Sequence, residues 1–106
     1  WHLPALHLAD GQPWAAEDRW VNPEAVPGLA TADLSATSAN EWLVQHAPFT
    51  HGDYAITATS SEDAPALLAP SGAPLLTVTR TTWDGHRPIT WVRLTFARGH
   101  AIRAAL

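Results

Sequence analysis

Hydrophobic and polar positions alternate along two stretches that read like copies of one another. LHLADGQPWAAEDRWVNP runs from Leu6 to Pro23, and RTTWDGHRPITWVRLTFA runs from Arg80 to Ala97. Each has an apolar run, an Asp-Gly step, a proline and a second run with an arginine inside it, Arg19 or Arg93. Asp-Gly between alternating runs signals a tight hairpin, because glycine accepts the positive φ that such turns need. The pattern predicts two β-hairpins. Strands are expected over Leu3–Ala9 and Trp14–Val21 in the first, and over Pro74–Trp83 and Ile89–Phe96 in the second. Pro4 suits a sheet edge or a strand start.

Between the hairpins the period changes. Pro23 to Leu34 reads as a short helical turn and a loop. Ser38-Ala39-Asn40-Glu41 has the spacing of a capping box and opens a helix over Ala39–His46 that Pro48 stops. Asp53–Thr59 alternates as a strand. Ser60-Ser61-Glu62-Asp63 caps a second short helix through Leu68, with Pro65 tolerated in its first turn. The order β-β-α-β-α-β-β predicts an α+β domain: an antiparallel sheet of about five or six strands with short helices on one face. The chain reads as a single domain over residues 1–106. Because it starts at Trp1 inside a strand, the opening part of the domain is expected to be missing.

Hydrophobic residues make up 46% of the chain, enough for one packed core. A domain this short buries only about 60–65% of its unfolded surface, so its stability is expected to be modest. The six tryptophans are expected in the core or at an interface, and a homodimer is expected because the apolar surface exceeds what the chain can cover itself. Net charge is −4 and there is no lysine, which argues against a nucleic-acid surface on this chain. The absence of cysteine excludes a disulfide scaffold, a zinc knuckle and a thiol nucleophile. The histidines lack ligand spacing, so no metal is expected, and no cofactor motif is present. No apolar run is long enough to span a membrane, and a cytoplasmic protein is expected.

Candidate chemistry concentrates on the arginine strands. Glu17 and Arg19 share a face, about 6.6 Å apart along a strand that rises about 3.3 Å per residue. Such a pair can grip a small zwitterion or carboxylate; equally, Glu17, Asp18 and Arg19 can be ordinary charges on an exposed edge. Arg93 and Thr95 share a face of the matching strand, where Arg93 can instead make a cross-strand salt bridge. No nucleophile motif supports an enzyme.

The runs DGQPWAAEDRWVNPEAVP, SANEWLVQHAP and PLLTVTRTTWDGHRPITWVRLTFARG closely resemble the UTRA effector-binding domain of GntR-type bacterial regulators, within the subgroup of histidine-utilisation repressors. The Glu-Asp-Arg-aromatic-Val-Asn-Pro strand end is met by Glu17 to Pro23. The later Arg-x-Thr-Trp-x-Gly pattern is met by Arg80, Thr82, Trp83 and Gly85, and its continuation by Ile89, Thr90, Arg93, Leu94 and Thr95. The resemblance implies a chorismate lyase-like fold and a sensor of urocanate or a similar carboxylate. It also implies DNA binding through an absent winged helix-turn-helix domain, and dimerisation. On that basis Arg19 and Arg93 are expected to face one cavity, with Glu17, Thr90 and Thr95 as polar contacts. Thr90 is out of phase with Arg93 and Thr95, so a bulge is needed to bring it in. Many relatives carry a Gly-Asp-Arg-Tyr-like motif after the last strand; here Ala97-Arg98-Gly99-His100-Ala101 stands there, and the contacts of that loop do not carry over. A lyase-like enzyme on the same fold and a degenerate dimerisation module are the competing readings.

Overall fold

The computed structural model describes residues 1–105. Its centre is one antiparallel sheet of five strands: β1 (His2–Ala9), β2 (Gln12–Val21), β3 (His51–Ser60), β4 (Pro74–Asp84) and β5 (Arg87–Phe96). Their spatial order is β1-β2-β5-β4-β3, so the two hairpins lie side by side and β3 forms one edge. Asp10 and Gly11 have φ of 52° and 76°, the consecutive positive pair of a type I′ turn, and Ala9 pairs directly with Gln12. In the second hairpin Gly85 alone has positive φ, 61°, and Asp84 pairs with Arg87. That is the pattern of a two-residue loop with glycine leading.

The helix α1 (Ala39–His46) forms where its cap predicts: Ser38 Oγ accepts the Glu41 amide at 3.1 Å. With a 3₁₀ turn at Pro27–Thr31 it covers one face of the sheet, where Val21, Ala25, Val26, Leu29, Leu43 and Ile89 form a core. A bulge contributes to this. Thr82 pairs with Thr90 and Trp83 with Pro88, which leaves Ile89 as the extra residue, turned into the core beside Val21.

Three expectations are corrected. The helical segments cover both faces, not one: Ala64 and Leu67 pack on Leu75 and Ala16 on the opposite side of the sheet. Val21 and Ala16 are out of phase on β2 and point to opposite faces, so each face has an apolar patch to cover. The second helix is instead two 3₁₀ turns, Ser61–Asp63 and Pro65–Leu67. Pro65 disfavours helical backbone in the residue before it, and Ala64 sits at φ −143°. Finally, of the core and the interface expected for the tryptophans, the core is excluded: none of the six is buried, Trp1, Trp14 and Trp20 being exposed and Trp42, Trp83 and Trp91 partly covered. The closed core is aliphatic, with Leu75, Ile89 and Val92 its most enclosed large side chains.

Candidate ligand-binding site

Cross-strand register builds the site. Arg19 stands opposite Val92, Val92 opposite Arg80, and Arg80 opposite Tyr54, so one row crosses four strands on one face. The adjacent row is Val21, Thr90, Thr82 and Gly52. Gly52 ends that row without a side chain, and a Cβ there would crowd the Thr81 carbonyl at 3.2 Å. The helix α1 roofs the rows with Leu43, Val44 and Asn40. Between roof and sheet lies a cavity of about 240 Å³, lined by Arg19, Asn40, Leu43, Phe49, His51, Tyr54, Arg80, Thr82 and Thr90 among others.

The two guanidinium groups of this cavity differ in their partners. Arg19 is only 2% exposed, and its Nε donates to Glu17 Oε2 at 3.1 Å. Glu17 in turn meets His7 Nε2 at 3.1 Å. Its side chain is about 10% exposed and stands behind Arg19, outside the cavity lining. The charge of Arg19 is thus offset locally. Arg80 has no such offset: among the described residues it makes no ion pair. Its Nη2 donates to the neutral Asn40 Oδ1 at 2.8 Å, and its buried Nε has no partner. Its Cζ lies 6.0 Å from the Tyr54 ring centroid. The Thr82 and Thr90 hydroxyls are 2.6 Å apart beside it. Arginine is charged at any physiological pH, so the cavity holds an uncompensated cation with a free N–H, next to hydroxyls and aromatic rings.

The structure does not bring Arg19 and Arg93 into one cavity. Arg93 pairs with Asp18, the residue out of phase with Arg19, and so projects from the other face. There its Nη2 donates to Asp18 Oδ2 at 3.1 Å and the side chain is 43% exposed. Asp18 also meets His2 Nε2 at 3.0 Å. Burial alone would raise the Asp18 carboxyl, but the hydrogen bonds and charges of His2 and Arg93 outweigh it and hold it below its ordinary value. Thr95 is buried on that same face against Thr77, at 3.3 Å between hydroxyls. A second hollow of about 260 Å³ lies there, walled by threonines of β3, β4 and β5 with Trp91 and Arg93. The bulge that would bring Thr90 into phase with Arg93 and Thr95 does not exist: the register from Thr90 to Thr95 is unbroken and the break lies at Ile89, so Thr90 stays with Arg19, away from Arg93. Arg80 and Asn40 are the site residues that sequence reasoning missed. The Asp84–Arg87 loop register, carried back along β4 through the bulge, places Arg80 opposite Val92 and was the available signal. No group of three or more potential metal ligands occurs among the described residues.

An antiparallel sheet with a roofed, arginine-lined hollow on one face is an architecture that can hold a small molecule. Residues 1–101 match the UTRA domain model, and the chain belongs to that family. It is 33% identical over 95 residues to a histidine utilization repressor of Pseudomonas putida, covering 88% of this chain and 38% of that protein. A histidine utilization repressor of Klebsiella aerogenes is 30% identical over 97 residues, with 90% of this chain and 40% of that protein covered. The chain therefore spans less than half the length of these relatives. Among solved structures, the C-terminal domain of the histidine utilization repressor from Pseudomonas syringae superposes with a TM-score of 0.86 at 28% identity, over 99% of this chain and 77% of that one. The chain is thus a UTRA domain, similar in sequence and in fold to the C-terminal domains of histidine utilization repressors.

Proposed function

We propose that this domain senses a small planar carboxylate in the cavity between α1 and the sheet, with urocanate the first candidate, and that Arg80 and Arg19 are its cationic wall. The observation that carries the reading is the buried, unpartnered Nε of Arg80 beside a neutral Asn40. A carboxylate supplies the missing acceptor and the missing charge together, and a guanidinium can hold it through two parallel hydrogen bonds. Phe49, Tyr54 and Leu43 offer flat apolar contacts to a ring, while His51, Thr82 and Thr90 offer polar contacts to its nitrogens. At about 240 Å³ the cavity lies below the common range of about 300–1,000 Å³ for drug-sized ligands, which favours a small metabolite.

In this reading Glu17 sets Arg19 in place and does not itself grip the ligand. Arg93 and Thr95 belong to the opposite face and take no part. Glu17 is tied to both Arg19 and His7, so it is a poor general base, which favours a sensor over a lyase-like enzyme. The ligand's occupancy would be passed to a winged helix-turn-helix domain elsewhere in a cytoplasmic repressor of histidine breakdown. Isothermal titration of the chain with urocanate, histidine and simple aromatic carboxylates tests the reading. Saturable urocanate binding, with a matching rise in melting temperature, is the expected result. Binding of none of these acids at millimolar concentration would overturn it in favour of a module that has lost its ligand.

A further inference from the structure

The face of the sheet that carries Arg93 has its own hollow, of about 260 Å³. Register builds its floor. Thr57 stands opposite Thr77 and Thr77 opposite Thr95, so one row of hydroxyls crosses three strands. Two residues away on the same face, Thr79 stands opposite Arg93. Thr59, Asp63 and Trp91 complete the wall. Threonine is a good strand former, and on an open sheet surface it needs no further explanation. The floor of this hollow is not an open surface: Thr77 is only 4% exposed and Thr95 6%. Their hydroxyls meet each other at 3.3 Å and, among the described residues, have no other partner. Each hydroxyl has one hydrogen to give and two lone pairs, so a single shared bond leaves one hydrogen and several lone pairs unserved. Only the hollow can serve them.

The charges narrow the occupant. The cation of this wall, Arg93, already donates to Asp18 at 3.1 Å. Asp63, on the β3 side, makes no ion pair among the described residues, and one of its oxygens accepts the Thr59 hydroxyl at 2.6 Å. An offset cation and an unpaired carboxylate disfavour an anion here, the opposite of the Arg80 cavity. A lone exposed carboxylate holds a free cation weakly, because water and salt screen it. We infer that this hollow is a second binding site, independent of any ligand at Arg80, and that it takes a small neutral polyhydroxyl ring, a cyclic polyol or a monosaccharide. The hydroxyls of such a ring both donate and accept, as those of Thr77 and Thr95 do. The free Asp63 oxygen accepts from one of them, and the Arg93 N–H groups not taken by Asp18 donate to another. Arg93 Cζ lies 5.9 Å from the Trp91 ring centroid, so the two share one wall, and the indole offers a flat apolar surface to the C–H face of the ring. A volume of about 260 Å³, below the common range of about 300–1,000 Å³ for drug-sized ligands, suits one ring and not a chain of them.

Nitrogen-15 spectra of the 106-residue chain, titrated with myo-inositol, D-glucose and D-galactose, test the site. At least one of the three is expected to shift the Arg93 Nε–Hε and Trp91 indole N–H signals saturably at millimolar concentration, with the Arg80 Nε–Hε signal in place. Thr95→Val removes a floor hydroxyl and keeps the side chain's shape, so it should weaken that binding about tenfold. Should Thr95→Val fail to fold, as read by circular dichroism, Arg93→Ala on the partly exposed wall decides, with a similar loss expected at the Trp91 signal. No saturable response to any of the three at tens of millimolar would overturn the assignment. So would a response at Arg80 in place of Arg93 and Trp91, or a folded Thr95→Val chain that binds as the parent does. Saturation of the Arg93 signal by acetate and by none of the three would mark an anion site and overturn it as well.

Discussion

Replacing Arg80 by Met separates ligand recognition from folding. The substitution keeps an apolar stem against Tyr54 and removes the guanidinium. In the ligand-free domain that guanidinium makes one good hydrogen bond, to Asn40 at 2.8 Å, and leaves its buried Nε unsatisfied. A net hydrogen bond contributes about 0.5–1.5 kcal/mol, and an unsatisfied buried donor costs about 1–3 kcal/mol, so the two nearly cancel. Arg80→Met should therefore change the stability of the free domain by no more than about 1 kcal/mol. Binding of a carboxylate is another matter. Truncating one partner of a desolvated charge pair costs about 2–5 kcal/mol, and the openness of this cavity to solvent favours the lower part, about 2–3 kcal/mol. That is roughly a 30- to 160-fold rise in Kd. Titration calorimetry measures the change in binding and chemical unfolding the change in stability. Unchanged urocanate affinity in Arg80→Met, with the fold intact, would refute the assignment of the cavity's cation. Arg19→Met should lower the stability of the free domain as well. It strands Glu17, whose side chain is about 10% exposed, with only His7 for company. Breaking such a pair costs about 3–5 kcal/mol, here nearer 3 because His7 remains, which is roughly 12–24 °C in Tm for a domain of this size.

Other outcomes follow from local contacts. Asp18→Asn should destabilise the domain at neutral pH, where the depressed carboxyl is ionised and held by His2 and Arg93. Because the folded carboxyl titrates below its ordinary value, this contribution is present above that value and is lost as pH falls through the lowered one. The melting-temperature gap between Asp18→Asn and the parent should therefore close in acid; a gap that widens would show the sign to be wrong. Ser38→Ala removes the acceptor that caps α1 and should cost about 1 kcal/mol in urea unfolding. Since α1 roofs the cavity, the same variant should also bind ligand more weakly than its parent.

The local elements were legible because their signals are local. The Asp10-Gly11 turn, the Ser38 cap and the Ala39–His46 helix all depend on residues a few positions apart. The alternation on β2 placed Glu17 and Arg19 together and Asp18 apart from them, as the structure has it. The relation between the two hairpins was not legible, since it rests on how β2 meets β5 across more than seventy residues. A one-residue change in that register exchanges the faces of every side chain on a strand. That is why Arg93 was paired with Arg19 in expectation but stands behind the sheet, opposite Asp18. It is also why Arg80, though it meets the family pattern, was not placed in the same cross-strand row as Arg19. The covering of both faces escaped for a related reason: Ala16 and Ala64 are too small for their alternation to announce a core.

The central claim is that the ligand sits on the Arg80 face of the sheet. The arginine Nε–Hε resonances in a nitrogen-15 correlation spectrum read this directly, because Arg80 and Arg93 project from opposite faces. On titration with urocanate, the Arg80 Nε–Hε signal is expected to shift downfield and to exchange more slowly with solvent, while that of Arg93 stays in place. A response at Arg93 with Arg80 unmoved would put the ligand on the threonine-lined face and contradict the account.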